Sequence, residues 1–330
     1  MKRMLSGIKP SGELTLGNYL GALKRFVAFQ EDYEMFVFIA NLHCITNYQE
    51  PTQLKTHLKN AVALYLACGL DPKRSTIFLQ TDVPEHAQLG FILSCYSYLG
   101  ELNRMTQYKD KAASGESSLT VGFYTYPTLM AADILMYDPA YVPVGDDQKQ
   151  HVELTRDIGE RFNNRYSPTF TIPEPLIAKT GARIMSLSEP SKKMSKSDHS
   201  DKGVIYMLDD PAIIRKKVKS ATTDSLAKVV FDPTNQPGIS NLIQIVAACL
   251  DQSIEEVIET YKDAKYGEFK EAVAQIIIDT LAPIQERYRS IINSDELERV
   301  LFEGKEKAQR IARQKLEKIQ RKIGLEIKKK

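Results

Sequence analysis

A short glycine-bearing segment near the N-terminus constrains this chain more than any other feature of its sequence. The segment Pro10–Asn18 contains Gly12 and Gly17, and it follows an apolar stretch, residues 4–8, that has the character of a buried strand. Apolar residues at helical spacing come next, which predicts a helix beginning near Gly17. A strand, a glycine-bearing loop and a helix start direct unpaired backbone N–H groups at a bound anion. The alternative is a turn without a ligand, since the segment is neither a Walker A motif nor a GxGxxG motif.

A second segment, Lys192–Asp198, carries Lys193 and Lys196 three residues apart and follows an apolar stretch, residues 184–187. Two ammonium groups at this spacing can enclose a polyphosphate, which a phosphoryl- or nucleotidyl-transfer site needs. The alternative is a solvated surface loop.

The two segments together resemble the signatures of class I aminoacyl-tRNA synthetases. Residues 15–18 resemble the HIGH signature, and residues 193–197 match the KMSKS signature letter for letter. Nearly the whole chain is similar to the bacterial-type tryptophanyl-tRNA synthetase family. The resemblance implies ATP-dependent activation of L-tryptophan to tryptophanyl-adenylate and its transfer to tRNA(Trp). It also implies Mg²⁺ carried with ATP. No metal site in the protein itself is expected, because the histidines and cysteines show no metal-ligand spacing.

The first two-thirds of the chain alternates strand-like and helix-like segments. This alternation predicts an α/β fold with a Rossmann-like doubly wound parallel sheet, whose ligand crevice lies at the carboxyl ends of the strands. Between about Arg104 and Gly122 the pattern lapses and indicates an exposed, mobile loop. The strand candidates are residues 35–40, 76–80 and 141–145, and the predicted helices are residues 51–70 and 85–99.

From about Ser200 onward the apolar spacing is helical, which predicts an all-helical second domain. We therefore divide the chain into a Rossmann-like catalytic domain, residues 1–198, and a helical C-terminal domain, residues 199–330. The resemblance implies that the second domain binds the anticodon. It also implies that an inserted region at about 100–125 forms the interface of a homodimer.

The end of the chain is strongly basic. Residues 304–330 contain eleven Lys/Arg and three acidic residues, whereas the whole chain has a formal net charge of only +2. A basic helical tail on an acidic body favours a polyanionic partner, which is tRNA if the resemblance holds. The alternative is a solvated terminal helix.

The apolar run at residues 126–137 contains a single carboxylate, Asp133. A carboxylate in such a run must find a partner or be exposed, and it could cap a neighbouring helix or pair with an arginine. In the family, the aspartate of the matching MAADIL motif accepts a hydrogen bond from the indole N–H. The resemblance therefore assigns this hydrogen bond to Asp133, and an acceptor of this kind would discriminate strongly against phenylalanine.

The resemblance assigns further residues to the active site. Lys193 and Lys196 would stabilise the leaving pyrophosphate, and Asn18 would meet the phosphates at the helix start. The expected tryptophan pocket comprises Asp133, Leu5, Gly7, His43, Tyr126, Met130, Val142, Val144 and Gln148. The expected ATP site comprises Lys9, Pro10, Ser11, Gly17, Asn18, Lys111, Gly145, Asp146, Asp147, Ile184, Lys193, Met194, Ser195, Lys196 and Ser197. Two departures stand out, because Lys9 occupies a position where the family often has Gln, and Asn41–Cys44 replaces Asp-Gln-His-Ala.

The four cysteines are widely spaced, which indicates reduced thiols in a cytoplasmic protein. The histidines do not have the spacing of metal ligands. Three other functions remain open: a tyrosyl-tRNA synthetase, a catalytically inactive RNA-binding paralogue and a small-molecule nucleotidyltransferase. Asp133 in its Ala-Ala-Asp context argues against the first. The KMSKS lysines argue against the second, and the long basic helical part argues against the third.

Overall fold

A parallel five-stranded sheet forms the centre of the computed structural model. The strand order is β3-β2-β1-β4-β5, and every paired neighbour runs parallel. This order confirms the predicted doubly wound fold. It reverses between β1 and β4, which is where ligands bind in such sheets. The strands are β1 Arg3–Ile8, β2 Glu34–Ile39, β3 Ser75–Leu79, β4 Tyr141–Val144 and β5 Glu174–Ile177.

The structure describes most of the chain. The described ranges are residues 1–10, 12–113, 119–177, 183–194 and 201–327, without the side chains of Asp146 and Ile177.

Helices connect the strands and then continue alone to the C-terminus. Near the N-terminus, α1 passes through a π-helical turn, Tyr19–Leu23, into α2. The helices of the described ranges are α1 Leu16–Asn18, α2 Lys24–Phe29, α3 Pro51–Ala67, α4 Glu85–Ser94, α5 Leu99–Leu102, α6 Thr106–Ala113, α7 Val121–Leu135, α8 Lys149–Tyr166, α9 Pro211–Lys219, α10 Pro237–Leu250, α11 Ile254–Tyr261, α12 Tyr266–Ile291 and α13 Asp295–Ile323.

Both faces of the sheet are buried, because successive side chains of a strand point to opposite faces. Met35 and Val37 of β2 belong to a hydrophobic cluster that includes residues of α3, α10 and α12. Phe36 and Phe38 belong to a separate cluster with residues of α4, α7 and α8. Burial on both faces explains why β2 is a continuous apolar run without alternation.

Two sequence predictions of local structure were wrong. Part of the expected loop at residues 104–122 is helical, since α6 occupies Thr106–Ala113 and α7 begins at Val121. No residue of α6 is buried, so the helix has no apolar stripe that a sequence pattern could reveal. The helix expected at residues 85–99 ends at Ser94, and β5 was not predicted.

The basic C-terminal helix α13 packs against the sheet. Its apolar residues Ala308, Ala312, Leu316 and Ile319 are buried in the same cluster as Phe78 of β3. Several of its cations are also bound to residues of the α/β half of the chain. Their partners are Glu34 for Lys307, Glu85 for Arg313, and Asp138 together with the Thr169 carbonyl for Lys315.

Gly304 makes this packing possible. A Cβ atom at Gly304 would lie 1.8 Å from the carbonyl oxygen of Ile77 and 2.7 Å from its carbonyl carbon. The α13 backbone therefore contacts the β3 backbone directly, and only glycine fits at position 304.

We expect Gly304→Ala to lower the free energy of unfolding by about 1–3 kcal/mol or more, the cost of overpacking a well-packed site. Gly267→Ala is the matched control, because Gly267 is also helical but no atom lies within 4 Å of its Cβ position. The control should be neutral or more stable by about 0.5–1 kcal/mol. Urea unfolding of the two variants measures the difference. Equal stabilities would contradict the close contact between α13 and β3.

Candidate active site

A cavity of about 780 Å³ opens where the strand order reverses. Its walls come from the carboxyl ends of β1 and β4, from α7 and from the segment that contains Lys193. Many residues expected at the site line it together. They are Leu5, Gly7, Lys9, Asn18, His43, Tyr126, Met130, Asp133, Val142, Val144, Gly145, Gln148, Lys193 and Met194.

The other expected residues do not line the cavity or fall outside the description. Pro10, Gly17, Lys111, Asp147 and Ile184 are described but are not part of the cavity wall. Ser11, Ser195, Lys196 and Ser197 lie outside the described residues, as does the side chain of Asp146.

The two signature segments meet at Gly17. The Met194 N–H donates to the Ile184 carbonyl over 2.9 Å, so residues 184–186 and 192–194 form a short antiparallel pair. A Cβ atom at Gly17 would lie 3.7 Å from the Cβ atoms of both Ile184 and Met194. The fold thus holds the first part of the KMSKS segment directly against the first turn of α1.

A capping box fixes the start of α1. The Thr15 N–H donates to Asn18 Oδ1 over 3.0 Å, and the Asn18 N–H donates to Thr15 Oγ1 over 3.2 Å. The Leu16 N–H donates to the Ile205 carbonyl over 2.9 Å, which ties this turn to the later part of the chain. Asn18 Oδ1 is used by the cap, so the N–H groups of its amide are the part that a ligand in the cavity can use. The π-helical turn that follows is a feature common at functional sites.

Asp133 is completely buried and has hydrogen bonds to three side chains. Gln80 Nε2 lies 2.7 Å from Oδ1 and 2.9 Å from Oδ2, His86 Nδ1 lies 2.6 Å from Oδ1, and His43 Nε2 lies 2.8 Å from Oδ2. Burial alone would raise the pKa of Asp133, but the hydrogen bonds and charges of His43 and His86 outweigh it and lower the pKa to about 2. The carboxylate is therefore ionised at neutral pH although it is fully buried.

A tyrosine continues this hydrogen-bonded chain away from the cavity. The Tyr137 hydroxyl lies 2.7 Å from Nε2 of His86, and both side chains are fully buried. Sequence reasoning missed Gln80, His86 and Tyr137. Gln80 directly follows β3, so the rule that ligands bind at carboxyl ends of parallel strands could have found it. No sequence signal marks His86 or Tyr137.

Aromatic groups surround the rest of the pocket. A Cβ atom at Gly7 would lie 2.6 Å from the Phe38 ring, so only a glycine at this position allows the ring to pack against β1. The Tyr126 ring packs edge-on against His43, with ring centroids 6.0 Å apart. The Tyr126 hydroxyl donates to Gln107 Oε1 over 2.7 Å and also contacts His151 Nε2.

The His151 side chain is neutral at pH 7. Burial is the main cause that lowers its pKa, the Asp147 carboxylate opposes it, and His43 adds to it, giving a pKa of about 4. Because a neutral imidazole can accept or donate, His151 holds the Tyr126 hydroxyl without adding charge beside the pocket.

Two lysines lie near the rim of the cavity. Burial lowers the pKa of Lys9, Cys44 opposes this shift, and the positive charge of Lys111 adds to it. Lys111 Nζ donates to Asn47 Oδ1 over 2.7 Å and lies 4.7 Å from the centroid of the Phe123 ring. The pair supplies positive charge on the side where phosphates were expected.

The described residues include no group of three or more His, Cys, Asp or Glu side chains that could hold a metal ion. The described helices include none that is both long and apolar enough for a transmembrane span.

Comparison with known proteins gives the family. The model of the family "tRNA synthetases class I (W and Y)" matches residues 1–282. The tryptophan–tRNA ligase of Halalkalibacterium halodurans is 55% identical over 324 residues, which cover 98% of each chain.

Two solved structures are similar over their whole length. The tryptophanyl-tRNA synthetase of Mycoplasma pneumoniae superposes with a TM-score of 0.91 at 39% identity, covering 99% of this chain and 98% of that one. The enzyme of Campylobacter jejuni, complexed with ADP and tryptophan, gives a TM-score of 0.84 at 38% identity, with coverage of 98% and 99%. The chain therefore belongs to the class I tRNA synthetase family for tryptophan and tyrosine, among its bacterial tryptophan–tRNA ligases.

Proposed function

We propose that this chain activates L-tryptophan with ATP to form tryptophanyl-adenylate and then transfers the tryptophanyl group to tRNA(Trp). The observation that carries the proposal is the ionised, buried Asp133 in a cavity that also reaches Asn18 and Lys193. One end of this cavity suits an aromatic ring with a single N–H group, and the other suits a polyphosphate. The four cysteines of the chain are free thiols, which fits a cytoplasmic enzyme.

Tryptophan recognition follows from the polarity of the pocket. The indole ring lies among Gly7, Met130, Val142 and Val144, and its N–H donates to Asp133. An indole has one polar edge and needs one acceptor there. Phenylalanine would leave that acceptor without its donor, which gives stronger discrimination than a difference in size.

The opposite end of the substrate lies near the strand ends. Tyr126 and Gln148 line the cavity near the expected position of the α-amino group. The hydrogen bonds of the Tyr126 hydroxyl to Gln107 and His151 hold its ring in place before the substrate arrives. Preorganisation of this kind lowers the entropic cost of orienting the reactants.

Adenylate formation needs positioning and charge stabilisation more than it needs a base. The tryptophan carboxylate is already ionised and attacks the α-phosphorus of ATP; the bond to the β-phosphate oxygen breaks and pyrophosphate leaves. Asn18 and Lys193 line the cavity where this charge develops, and we assign the same function to Lys196. Mg²⁺ enters with ATP, held mainly by phosphate and water. In the second step, a hydroxyl of the terminal adenosine of tRNA attacks the carbonyl of the adenylate and AMP leaves.

The remaining ATP contacts are proposed for residues around the first turn of α1 and the end of β4. Gly17 packs beside Ile184, where adenine would lie, and Gly145 follows β4 at the cavity wall. The residues proposed to contact ATP are Lys9, Pro10, Ser11, Gly17, Asn18, Lys111, Gly145, Asp146, Asp147, Ile184, Lys193, Met194, Ser195, Lys196 and Ser197.

Lys193→Ala and Lys196→Ala should each lower the rate of ATP–pyrophosphate exchange by about 100- to 1000-fold, the effect of removing one preorganised charge-stabilising contact. Tryptophan affinity should be nearly unchanged, because the proposal assigns the lysines to the phosphates and not to the indole. Lys192→Ala is the control, since Lys192 is the adjacent lysine and pairs with Glu189 over 2.9 Å. Normal exchange in Lys196→Ala would contradict the assignment.

Asp133→Ala should weaken tryptophan binding by about 1.5–3 kcal/mol, the range for a hydrogen bond to a charged group. The chain contains no tryptophan residue, so indole emission from the bound substrate can be followed without background from the protein. The analogue 3-benzothienylalanine, in which sulfur replaces the ring N–H, should lose much less affinity because it never made the bond. Equal losses for the two ligands would show that Asp133 only supports the fold, and tight binding of tyrosine in place of tryptophan would exclude the proposed substrate.

We propose residues 199–330 as the anticodon-binding part of the chain, with α13 contributing to the tRNA interface. The ion pairs of Lys307, Arg313 and Lys315 with the catalytic half limit which cations can reach a phosphate. Arg310 and Lys318 are exposed on α13 and are the better candidates. Deletion of the tail would not test this proposal, because it would also remove buried core residues.

Substituting Arg310 and Lys318 by Gln should weaken tRNA binding and reduce the slope of log K against log salt by about one to two, because each phosphate contact contributes nearly one. ATP–pyrophosphate exchange should not change, since α13 does not line the cavity. The double variant Lys55→Gln/Lys59→Gln on α3 is the control for a general loss of charge. An unchanged salt slope in the α13 variant would remove this face from the RNA interface.

We also propose a homodimer that forms through the region at about 100–125 and its neighbours. Large apolar side chains are exposed there on adjoining elements: Phe91, Tyr98, Leu99 and Val121 are each more than half exposed. The Tyr124 hydroxyl of α7 donates to the Leu99 carbonyl over 3.1 Å, which joins two of these elements into one surface. Apolar surface of this kind is typical of a protein–protein interface.

A further inference from the structure

The partners of the two Asp133 oxygen atoms differ in their relation to the cavity. His43, which bonds to Oδ2, lines the cavity. His86, which bonds to Oδ1, and Gln80, which lies 2.7 Å from Oδ1 and 2.9 Å from Oδ2, do not line it and are both fully buried. Oδ2 is therefore the oxygen that faces the substrate, and Oδ1 is the oxygen that the protein holds from behind.

One hydrogen atom of this cluster can be placed from the contacts alone. An ionised carboxylate only accepts hydrogen bonds, so Nδ1 of His86 must be the protonated nitrogen that donates to Asp133. Burial and the carboxylates of Asp133 and Glu85 raise the pKa of the Tyr137 phenol well above its ordinary value, so the hydroxyl keeps its proton. The hydroxyl lies 2.7 Å from Nε2 of His86. It donates to that nitrogen when the ring is neutral and accepts from it when the ring is protonated, so in either charge state it holds the ring with Nδ1 directed at the carboxylate.

The aromatic rings around His86 fix the orientation of its imidazole ring. Its ring lies 6.0 Å from the centroids of both Phe38 and Phe78, and 5.4 Å from that of Tyr137. A rotated imidazole would place its nitrogen atoms against aromatic rings and would leave them without partners, which is costly at a buried site.

We propose that Gln80, His86 and Tyr137 are positioning residues for substrate specificity, which fix Asp133 Oδ1 so that Oδ2 alone is presented to the ring N–H of the substrate. The inference rests on the proposed function, because it requires that Asp133 accepts the indole N–H. None of the three side chains touches the substrate. Their effect acts through the direction of the carboxylate, so it should alter the preference for a ring N–H and not simply the affinity for an aromatic ring.

The measurement is the ratio of the dissociation constants of 3-benzothienylalanine and tryptophan, obtained by displacement of bound tryptophan. His86→Leu removes the donor to Oδ1 and should lower this ratio about tenfold or more, up to the full value of the indole hydrogen bond. His86→Asn keeps an amide N–H close to the position of Nδ1 and should restore much of the ratio. Tyr137→Phe removes only the hydroxyl that pairs with Nε2 of His86, and it should lower the ratio in the same direction.

Tyr65→Phe is the matched control. Tyr65 is also fully buried, and its hydroxyl has no hydrogen-bond partner among the described residues. The same chemical change at this position should leave the ratio at the wild-type value. Thermal unfolding of each variant shows which of them fold. If His86→Leu does not fold, Tyr137→Phe and its control Tyr65→Phe decide the question.

The outcomes separate the two proposals. A wild-type ratio near one would mean that Asp133 does not accept the ring N–H, which overturns the proposed recognition of tryptophan. A large wild-type ratio that stays unchanged in every folded His86→Leu and Tyr137→Phe variant would overturn only the positioning inference. A lower ratio in Tyr137→Phe, with the Tyr65→Phe control unchanged, would establish it.

Discussion

The site depends on one electrostatic requirement, that a carboxylate buried in an apolar pocket remains ionised. An unpaired charge in such an environment would take up a proton instead. Asp133 avoids this because two histidines and a glutamine donate to it. These donors come from three different parts of the chain. His43 follows β2, Gln80 follows β3 and His86 lies on α4, so the sheet must be assembled before the carboxylate can be ionised in its pocket.

The same sheet also brings the phosphate side of the site together. β1 leads into the turn at Thr15–Asn18, and the segment ending at Met194 packs on Gly17 although it is distant in sequence. Backbone hydrogen bonds join Met194 to Ile184 and Leu16 to Ile205, and the side chains of Thr15 and Asn18 close the turn. A fixed turn on one side and a carboxylate already held by three donors on the other leave little for a substrate to reorganise, which is the condition under which electrostatic stabilisation is most effective.

Sequence patterns predicted the parts of this architecture that repeat along the chain. Apolar runs gave four of the five strands, and their alternation with helices gave the doubly wound sheet with its crevice. The family signatures indicated most of the residues that line the cavity. Patterns failed where a structure depends on a contact distant in sequence. Helix α6 has no buried face and so no periodicity, and Tyr137 lies within an apolar run where nothing distinguishes its hydroxyl from a packing group. The basic character of α13 was also a poor guide to its environment, because charge alone does not reveal that Lys315 is bound inside the protein.

The direct contact of Gly304 with the Ile77 backbone has a consequence for synthesis of the protein on the ribosome. β3 is an edge strand, and α13 is the element that covers its end of the sheet. The nascent chain can pair β1, β2 and β3 early, but this edge stays open until α13, which lies far later in the chain, has been translated. An uncovered apolar edge is a site for pairing with other chains. For as long as α13 is missing, the edge of β3 is therefore open to pairing with another copy of the chain.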